Sequence, residues 1–278
     1  MTEPLPLLAA VQLASGPNVN ANLLEAERLI AQAAAAGAKV VVLPENFAFM
    51  GKHETDKLGV AEPFGEGPIQ HFLAHMASTH GLWLVGGTMP MRTDNPHKVR
   101  AACLVFNASG EFVARYDKMH LFDVNLVDHQ ERYAESETIE PGTDVTVFET
   151  PCGRMGVAVC YDLRFPELFR TMLRQEVTVL AIPSSFTAIT GKAHWEVLVR
   201  ARAIENLSYV VAAAQGGYHI NGRETHGHSM IVDPWGVVLA ELPRGSGVVT
   251  AEYDLERLRA TRRNFPSIQH RRIFCGAA

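Results

Sequence analysis

The stretch GVAVCYDLRFPEL, residues 156–168, carries an apolar run directly into a charged and aromatic segment. The run is typical of a β-strand, and Pro166 suits the first turn of a following helix. Cys160 therefore lies near the carboxyl end of a strand, the edge where α/β folds bind ligands. Burial alone makes a cysteine a small inert hydrophobe, whereas a nearby helix N-terminus lowers the pKa of a thiol and favours the reactive thiolate. This stretch alone leaves both interpretations open.

Strand-like and helical patterns alternate on both sides of this stretch. Residues 20–37 have an apolar helical face, and Gly37 lies where a left-handed residue would end that helix. Because helix-separated strands occur together with hairpins, we expect one α/β domain over residues 1–278 with parallel and antiparallel strand pairs. Hairpin turns are expected at residues 107–110, 151–153 and 233–236. Further strands are expected at residues 5–13, 39–45, 82–89, 177–184, 208–215 and 248–254, and further helices at 67–81, 165–175, 193–206 and after 254.

The composition limits the class of protein. With 47% hydrophobic and 20% charged residues, the chain resembles a soluble globular protein. A net charge of −5 without a long basic run argues against nucleic acid or an anionic membrane as a partner. The N-terminus MTEPLPLLAA lacks the basic region of a signal peptide, and no apolar run reaches the roughly 18 residues of a membrane span. Four cysteines without a Cys-x-x-Cys pair form no disulfide framework, so we expect a cytoplasmic protein.

Two further strand ends carry an ionisable residue. Glu45 follows an apolar run, where a carboxyl group is either an ordinary loop acid or a general base with a raised pKa. Lys118 follows the second strand of the first hairpin and is either a surface lysine or a cation that stabilises an oxyanion. With Cys160, these groups supply the base, the positive charge and the nucleophile of acyl transfer.

Three ordered motifs in the sequence, LPENF, YDKMHLFD and GVAVCYDLRFPEL, resemble the catalytic motifs of the nitrilase superfamily of carbon–nitrogen hydrolases. The resemblance implies a catalytic triad of Glu45, Lys118 and Cys160. The segment RYAESETIEPG matches a further glutamate of the family, so Glu135 is the candidate for orienting Lys118 and the substrate amide. The family fold is a four-layer α-β-β-α sandwich with mixed sheets. Dimers commonly extend that sandwich, and no cofactor or metal is expected because hydrolysis through a thioester needs only water.

The resemblance also implies a mechanism. Glu45 takes the proton of Cys160, and the thiolate attacks an amide carbonyl. Lys118 and a backbone N–H near Tyr161 stabilise the tetrahedral oxyanion. Collapse expels an amine, and water activated by Glu45 then hydrolyses the thioester.

Two other segments, SSFTAITGKAHWEVLVRARAIEN and HGHSMIVDPWG, are similar to the branch that hydrolyses deaminated glutathione, a 2-oxoglutaryl group joined by an amide to cysteinylglycine. The omega-amidases, a sister branch, cleave 2-oxoglutaramate instead. Both substrates carry an α-keto carboxylate. Arg164 either binds that carboxylate in a bidentate way or forms an ion pair with Asp162 or Glu167. The segment ITGKAHW is expected to form a loop with room for a peptide-sized leaving group, and the other expected pocket residues are Tyr161, Ser185, Phe186 and Thr187.

Several features favour no additional chemistry. The spacing of His219, His226 and His228 matches no zinc signature, so we expect a solvated or pocket-rim loop there. The basic tail, residues 257–272, is either a subunit contact or a solvated helix. Cys103 and Cys152 are expected to be structural and Cys275 incidental.

Two different classes compete with an active amidase. A non-catalytic partner on the same scaffold is expected to lose a triad residue, yet all of them are present. A papain-like hydrolase carries a local signature around its cysteine that AVCYD does not match.

Overall fold

In the computed structural model, which describes residues 4–126 and 131–274, strands and helices alternate along the chain. The strands are β1 (Leu7–Gln12), β2 (Ala38–Val42), β3 (Trp83–Val85), β4 (Met89–Arg92), β5 (Val99–Phe106), β6 (Phe112–Asp117), β7 (Asp123–Leu126), β8 (Glu131–Ala134), β9 (Val147–Thr150), β10 (Gly153–Val157), β11 (Val179–Ser184), β12 (Tyr209–Ala214), β13 (Gly216–Tyr218), β14 (Glu224–His226), β15 (Ser229–Val232), β16 (Val238–Leu242) and β17 (Gly247–Glu252). The α-helices are α1 (Val19–Ala35), α2 (Pro68–His80), α3 (Pro166–Met172), α4 (Ala188–Asn206) and α5 (Leu255–Asn264).

Two mixed sheets form the centre of the fold. One has the strand order β17-β1-β2-β3-β5-β4, with β6 paired to β5, and the other has the order β16-β15-β12-β11-β10-β9. In each sheet three neighbouring strands are parallel, β1-β2-β3 and β10-β11-β12, and antiparallel strands flank them. Two short antiparallel pairs, β7-β8 and β13-β14, lie outside these sheets.

The alternation of side chains along β1 shows how the layers form. Leu8 and Ala10 point into the core shared with the second sheet, whereas Ala9 and Val11 pack against α1 and α2. Since β1 is buried on both faces, its continuous apolar run is what a parallel central strand requires. Helices α3 and α4 cover the outer face of the second sheet, where Phe169 joins the shared core. The fold is therefore a four-layer α-β-β-α sandwich.

Many local predictions from the sequence agree with this structure. The three hairpin pairs β5-β6, β9-β10 and β15-β16 turn at the expected residues. Helix α1 begins after Asn18, whose side chain accepts a hydrogen bond from the backbone N–H of Ala21 at 3.0 Å. It ends at Ala35, and Gly37 has the expected left-handed backbone with φ +91°.

Two predicted elements were wrong. The expected strand 82–89 is two strands, because Gly87 adopts φ +58° and turns the chain between β3 and β4. The segment ITGKAHW is not a loop but part of α4, which begins after Thr187; the Thr187 side chain accepts from the backbone N–H of Thr190 at 3.2 Å. The expected loop with room for a peptide-sized leaving group is therefore not formed by this segment.

Burial sorts the remaining sequence predictions. Cys103 and Cys152 are fully buried, in keeping with structural roles, and Cys275 lies outside the described residues. In the basic tail, Leu258 packs into the core, and Arg262 donates hydrogen bonds to the carbonyls of Val177 and Leu207 at 2.7 and 3.0 Å. Part of α5 therefore packs against the rest of the protein and is not a solvated surface helix. None of the described helices is long and apolar enough to cross a membrane.

Candidate active site

A fully buried lysine stands at the centre of the candidate site. Lys118 directly follows β6, and its Nζ lies 2.8 Å from Oε1 of Glu45 and 2.9 and 2.7 Å from the two carboxylate oxygens of Glu135. Burial lowers the pKa of Lys118, but Glu135 and Glu45 outweigh burial and hold that pKa well above its usual range. The lysine is therefore a fixed positive charge and not a proton acceptor.

The first carboxylate, Glu45, is fixed from both sheets. It lies three residues after β2, with only 2% of its surface exposed. Its Oε2 accepts a 2.6 Å hydrogen bond from the hydroxyl of Ser185, which follows β11 in the other sheet, and its backbone carbonyl accepts from Gln215 at 2.9 Å. Both carboxylate oxygens are thus held in place, one by a cation and one by a hydroxyl.

The second carboxylate, Glu135, begins the short 3₁₀ helix Glu135–Glu137 directly after β8. Besides Lys118, it accepts a 2.8 Å hydrogen bond from the backbone N–H of Phe122. Burial raises the pKa of Glu135, yet the ammonium of Lys118 outweighs burial, so the pKa lies below its ordinary value. Glu135 is thus ionised and ties the β7-β8 hairpin to the lysine.

Cys160 lies on a sharp turn beyond β10, where it opens the 3₁₀ helix Cys160–Arg164. Its φ of +49° is unusual for a residue with a side chain and typical of strained functional positions. Burial raises the pKa of the thiol, the Glu45 charge raises it further, and Lys118 lowers it only in part. The sequence left a helix-lowered thiol pKa open, but in the structure burial outweighs the nearby positive charge and the pKa is raised. The resting group is a neutral thiol that needs a base.

A buried aspartate, Asp162, joins the lysine segment to the cysteine turn. Its Oδ2 accepts hydrogen bonds from the Tyr116 hydroxyl at 2.7 Å and the Val159 backbone N–H at 2.8 Å, and its Oδ1 accepts from the His120 backbone N–H at 2.9 Å. The sequence suggested Asp162 only as a possible ion-pair partner of Arg164. Among the described residues, the structure does not form that ion pair. The position of Asp162 next to Tyr161 in the cysteine motif was the signal in the sequence that could have identified this role.

All of the expected pocket residues line one cavity with Cys160. The cavity encloses about 280 Å³ of space, including its open mouth. Its walls contain the expected residues Glu45, Glu135, Cys160, Tyr161, Arg164, Ser185, Phe186 and Thr187, together with Phe122, Thr190 and Arg223, which the sequence did not suggest. Lys118 lies behind this wall, where it donates hydrogen bonds to the carboxylates of Glu45 and Glu135, both of which line the cavity.

Arg164 faces aromatic rings rather than acids. Its guanidinium lies 5.8 Å from the ring centroid of Tyr161 and 5.3 Å from that of Phe186, and Nη1 lies 3.3 Å from Nδ1 of His194. The alternative ion pair with Glu167 is also absent from the part of the chain that the structure describes. Its charge therefore remains available to a ligand in the cavity.

The three histidines of the β13-β14 region do not share a site. His219 is buried and contacts the backbone carbonyl of Ser15, which was not expected for a solvated loop, whereas His228 pairs with Glu241. His226 stacks on His228. Across residues 4–126 and 131–274, no group of three or more His, Cys, Asp or Glu side chains is arranged to hold a metal ion.

A sequence model of the family described as carbon-nitrogen hydrolase matches residues 7–263 of the chain. The chain belongs to the carbon–nitrogen hydrolase family. As a carbon–nitrogen hydrolase, it is an enzyme that cleaves C–N bonds.

Curated relatives and a solved structure extend this comparison. The chain is 45% identical to a protein of Synechocystis named deaminated glutathione amidase, over 95% of this chain and 97% of the relative. It is 41% identical to a protein of that name from Yersinia enterocolitica, over 96% of this chain and 93% of the relative. The crystal structure of the C. elegans NitFhit protein superposes on this carbon–nitrogen hydrolase with a TM-score of 0.90 and 36% identity, covering 98% of this chain and 66% of NitFhit. The chain thus spans about two thirds of that longer protein.

Proposed function

We propose that this protein is an amidase, one catalytic domain over residues 1–278, that hydrolyses deaminated glutathione to 2-oxoglutarate and cysteinylglycine. The observation that carries the proposal is the cavity lined by the carboxylate of Glu45 and the thiol of Cys160, with the buried ammonium of Lys118 directly behind it. The relatives named deaminated glutathione amidase, at 41% and 45% identity, support the choice of substrate.

In the proposed acylation, Glu45 removes the proton of Cys160 as the sulfur attacks the amide carbonyl. The raised pKa of the thiol, caused first by burial, makes this coupled transfer necessary. The amide oxygen gains negative charge, which the ammonium of Lys118 and the backbone N–H of Tyr161 stabilise. When the tetrahedral intermediate collapses, the C–N bond breaks and Glu45 returns the proton to the leaving amine.

In the proposed deacylation, the same groups act on the thioester. Glu45 takes a proton from a water molecule as its oxygen attacks the acyl carbon. The C–S bond then breaks, the sulfur of Cys160 regains its proton from Glu45, and the carboxylic acid product leaves, losing its remaining proton to solvent to become a carboxylate. Glu135 acts as a positioning residue, because it holds Lys118 through two hydrogen bonds of 2.9 and 2.7 Å.

Substrate binding is assigned to the cavity wall. We propose that Arg164 binds the α-keto carboxylate in a bidentate way, with Tyr161 and Phe186 stacked beside it. Thr187 and Ser185 complete the wall, and Ser185 also fixes the base Glu45.

The test compares two substrates on one preparation. The kcat/KM for deaminated glutathione should exceed that for 2-oxoglutaramate by about tenfold or more, which corresponds to roughly 1.4 kcal/mol of transition-state binding. A ratio of one or below would identify an omega-amidase instead. The absence of hydrolysis of either amide by wild type would favour a non-catalytic partner on this scaffold. For Arg164→Lys, kcat/KM should fall for both substrates, because an ammonium cannot replace the planar fork of the guanidinium.

We also propose a homo-oligomer in the cytoplasm whose substrate is a small molecule, not nucleic acid or a membrane. The oligomer is supported by exposed apolar side chains on one face: Val197 and Ile204 lie seven residues apart on α4, and Trp235 packs edge-on against Phe265 at 5.4 Å. Light scattering after size exclusion should give at least a dimer, and Ile204→Glu should shift it toward monomer. A wild-type monomer at micromolar concentration would contradict this.

A further inference from the structure

We infer that Arg223 belongs to a leaving-group subsite and binds the terminal carboxylate of the departing dipeptide. This inference rests on the proposed function, since it names the part of the protein that recognises cysteinylglycine. Arg223 lies in the turn between β13 and β14, far along the sequence from every residue of the proposed triad.

The first observation is that Arg223 is anchored but not neutralised. Its Nη2 donates a hydrogen bond to the backbone carbonyl of Ser185, and its guanidinium lies 5.2 Å from the ring centroid of Tyr133. Its Nε is buried and makes no hydrogen bond within the part of the chain that the structure describes. A buried guanidinium nitrogen without a partner is costly unless a ligand satisfies it. The Arg223 side chain is therefore held in place and still has the Nε–H donor available for a ligand.

The second observation is that Arg223 lines two adjoining cavities. It is part of the wall of the catalytic cavity and also of a larger cleft, which encloses about 550 Å³ of space including its mouth. The lining of this cleft includes Asn46, the residue directly after the proposed base, together with His53 and Lys57. Its volume is within the range of roughly 300–1,000 Å³ that is usual for small-molecule sites. Arg164 lines the catalytic cavity but not the cleft.

The third observation is the charge at the catalytic cavity. The cluster of Glu45, Glu135 and Lys118 sums to −1, from two negative charges and one positive charge. Arg164 and Arg223 add two positive charges, and neither forms an ion pair with another described residue. Uncompensated guanidinium groups at a cavity favour an anionic ligand.

These observations match the charge distribution of one of the two substrates. Deaminated glutathione carries a carboxylate on each side of the scissile amide, one on the acyl part and one at the end of the leaving dipeptide. 2-Oxoglutaramate has only the first. With Arg164 on the acyl carboxylate, Arg223, which lines both cavities, is the arginine left for the dipeptide carboxylate. Lys57 also lines the cleft, but its ammonium is paired with Glu54 at 2.6 Å. Because ITGKAHW is helical and forms no loop, this cleft is the alternative space for the leaving group.

The test uses two protein variants and a modified substrate. In Arg223→Gln, the ratio of kcat/KM for deaminated glutathione to that for 2-oxoglutaramate should fall about tenfold or more, mainly through KM for the larger substrate. The control is Arg132→Gln, which removes an exposed arginine of β8 that pairs with Glu137. It should leave the ratio at the wild-type value. Circular dichroism melting and alkylation of Cys160 report whether each variant is folded.

A second measurement does not depend on the folding of a variant. Wild-type enzyme should hydrolyse deaminated glutathione with its terminal carboxylate converted to a carboxamide about tenfold or more slowly, judged by kcat/KM. Arg223→Gln should lose little more on that carboxamide analogue, because the partner of the arginine is already gone. If the wild type cleaves deaminated glutathione but tolerates the carboxamide, the subsite is refuted and the proposed function stands. If the wild type does not cleave deaminated glutathione at all, the proposed function is refuted and the subsite with it.

Discussion

The substitution Glu135→Gln tests whether the second carboxylate holds Lys118 for catalysis. Lys118 Nζ donates to three carboxylate oxygens, two of them on Glu135. Glutamine keeps one acceptor oxygen, which the backbone N–H of Phe122 also requires, and places an amide NH₂ near the ammonium. At least one charged hydrogen bond is lost, worth roughly 1.5–3 kcal/mol.

If that bond positions Lys118 against the developing oxyanion, the acylation rate should fall roughly 10- to 150-fold. The free energy of unfolding should fall by a similar energy, about 1.5–3 kcal/mol, because Lys118 is fully buried and keeps only Glu45 as a full ionic partner. Single-turnover mass spectrometry of the thioester measures acylation, and urea titration measures stability. Alkylation of Cys160 by iodoacetamide should continue, which separates a failure of positioning from a collapsed site.

A matched control lies in the same 3₁₀ helix. Glu137 has 64% of its side chain exposed and pairs with Arg132 at the surface, so Glu137→Gln should retain wild-type acylation and stability within experimental error. Acylation of Glu135→Gln at the wild-type rate would show that Glu135 is only a loop carboxylate.

Three further expectations concern the nucleophile, the backbone and acid stability. Cys160→Ala should abolish hydrolysis in a steady-state assay while the melting curve stays cooperative; measurable turnover by this variant would remove the proposed mechanism. Gly87→Ala should unfold more easily in urea than Gly81→Ala. Both glycines have positive φ, +58° and +61°, but a Cβ at Gly87 would overlap the Pro44 carbonyl, whereas a Cβ at Gly81 would have no atom within 4 Å. Equal losses of unfolding free energy in the two variants would show that the positive φ alone, and not the overlap with Pro44, sets the cost. The folded-state pKa of Glu135 lies below its ordinary 4.5, so its stabilisation is present above that pH and lost as the pH falls through the folded value. Urea titrations from about pH 6 to 3 should therefore show a smaller acid loss for Glu135→Gln than for wild type.

The sequence predicted the alternation of strands and helices and the candidate site residues because both leave local signals, whereas the four layers followed from the family resemblance. Apolar runs that stop at an ionisable residue, such as those before Glu45 and Cys160, identify strand ends, and the carboxyl ends of parallel strands meet at one edge of a sheet. Three ordered motifs then made the family resemblance specific. The roles of the individual residues remain predictions.

Other features of the site depend on contacts that the sequence does not display. Arg223 reaches Ser185 across 38 positions, and its turn resembles an ordinary hairpin. The protonation of Cys160 depends on burial, which competes with the nearby charges. The helical start of α4 was missed although Thr187 offered a capping signal. The glycine within it, Gly191, is required by the close approach of the His226 side chain, a contact that the sequence does not display.

The division of the site between two sheets has a consequence for synthesis on the ribosome. Glu45 and Lys118 extend from one sheet and Ser185 from the other, and the bond between Ser185 and Glu45 spans 140 positions. The sheet that carries Glu45 is itself complete only when β17 pairs with β1, which joins Leu7 to Glu252. A growing chain therefore leaves one edge of β1 unpaired until nearly all of its residues have emerged, and such unpaired apolar strands are prone to aggregate. Chaperone binding to nascent chains should accordingly persist until late in translation and be strongest before β17 leaves the ribosome.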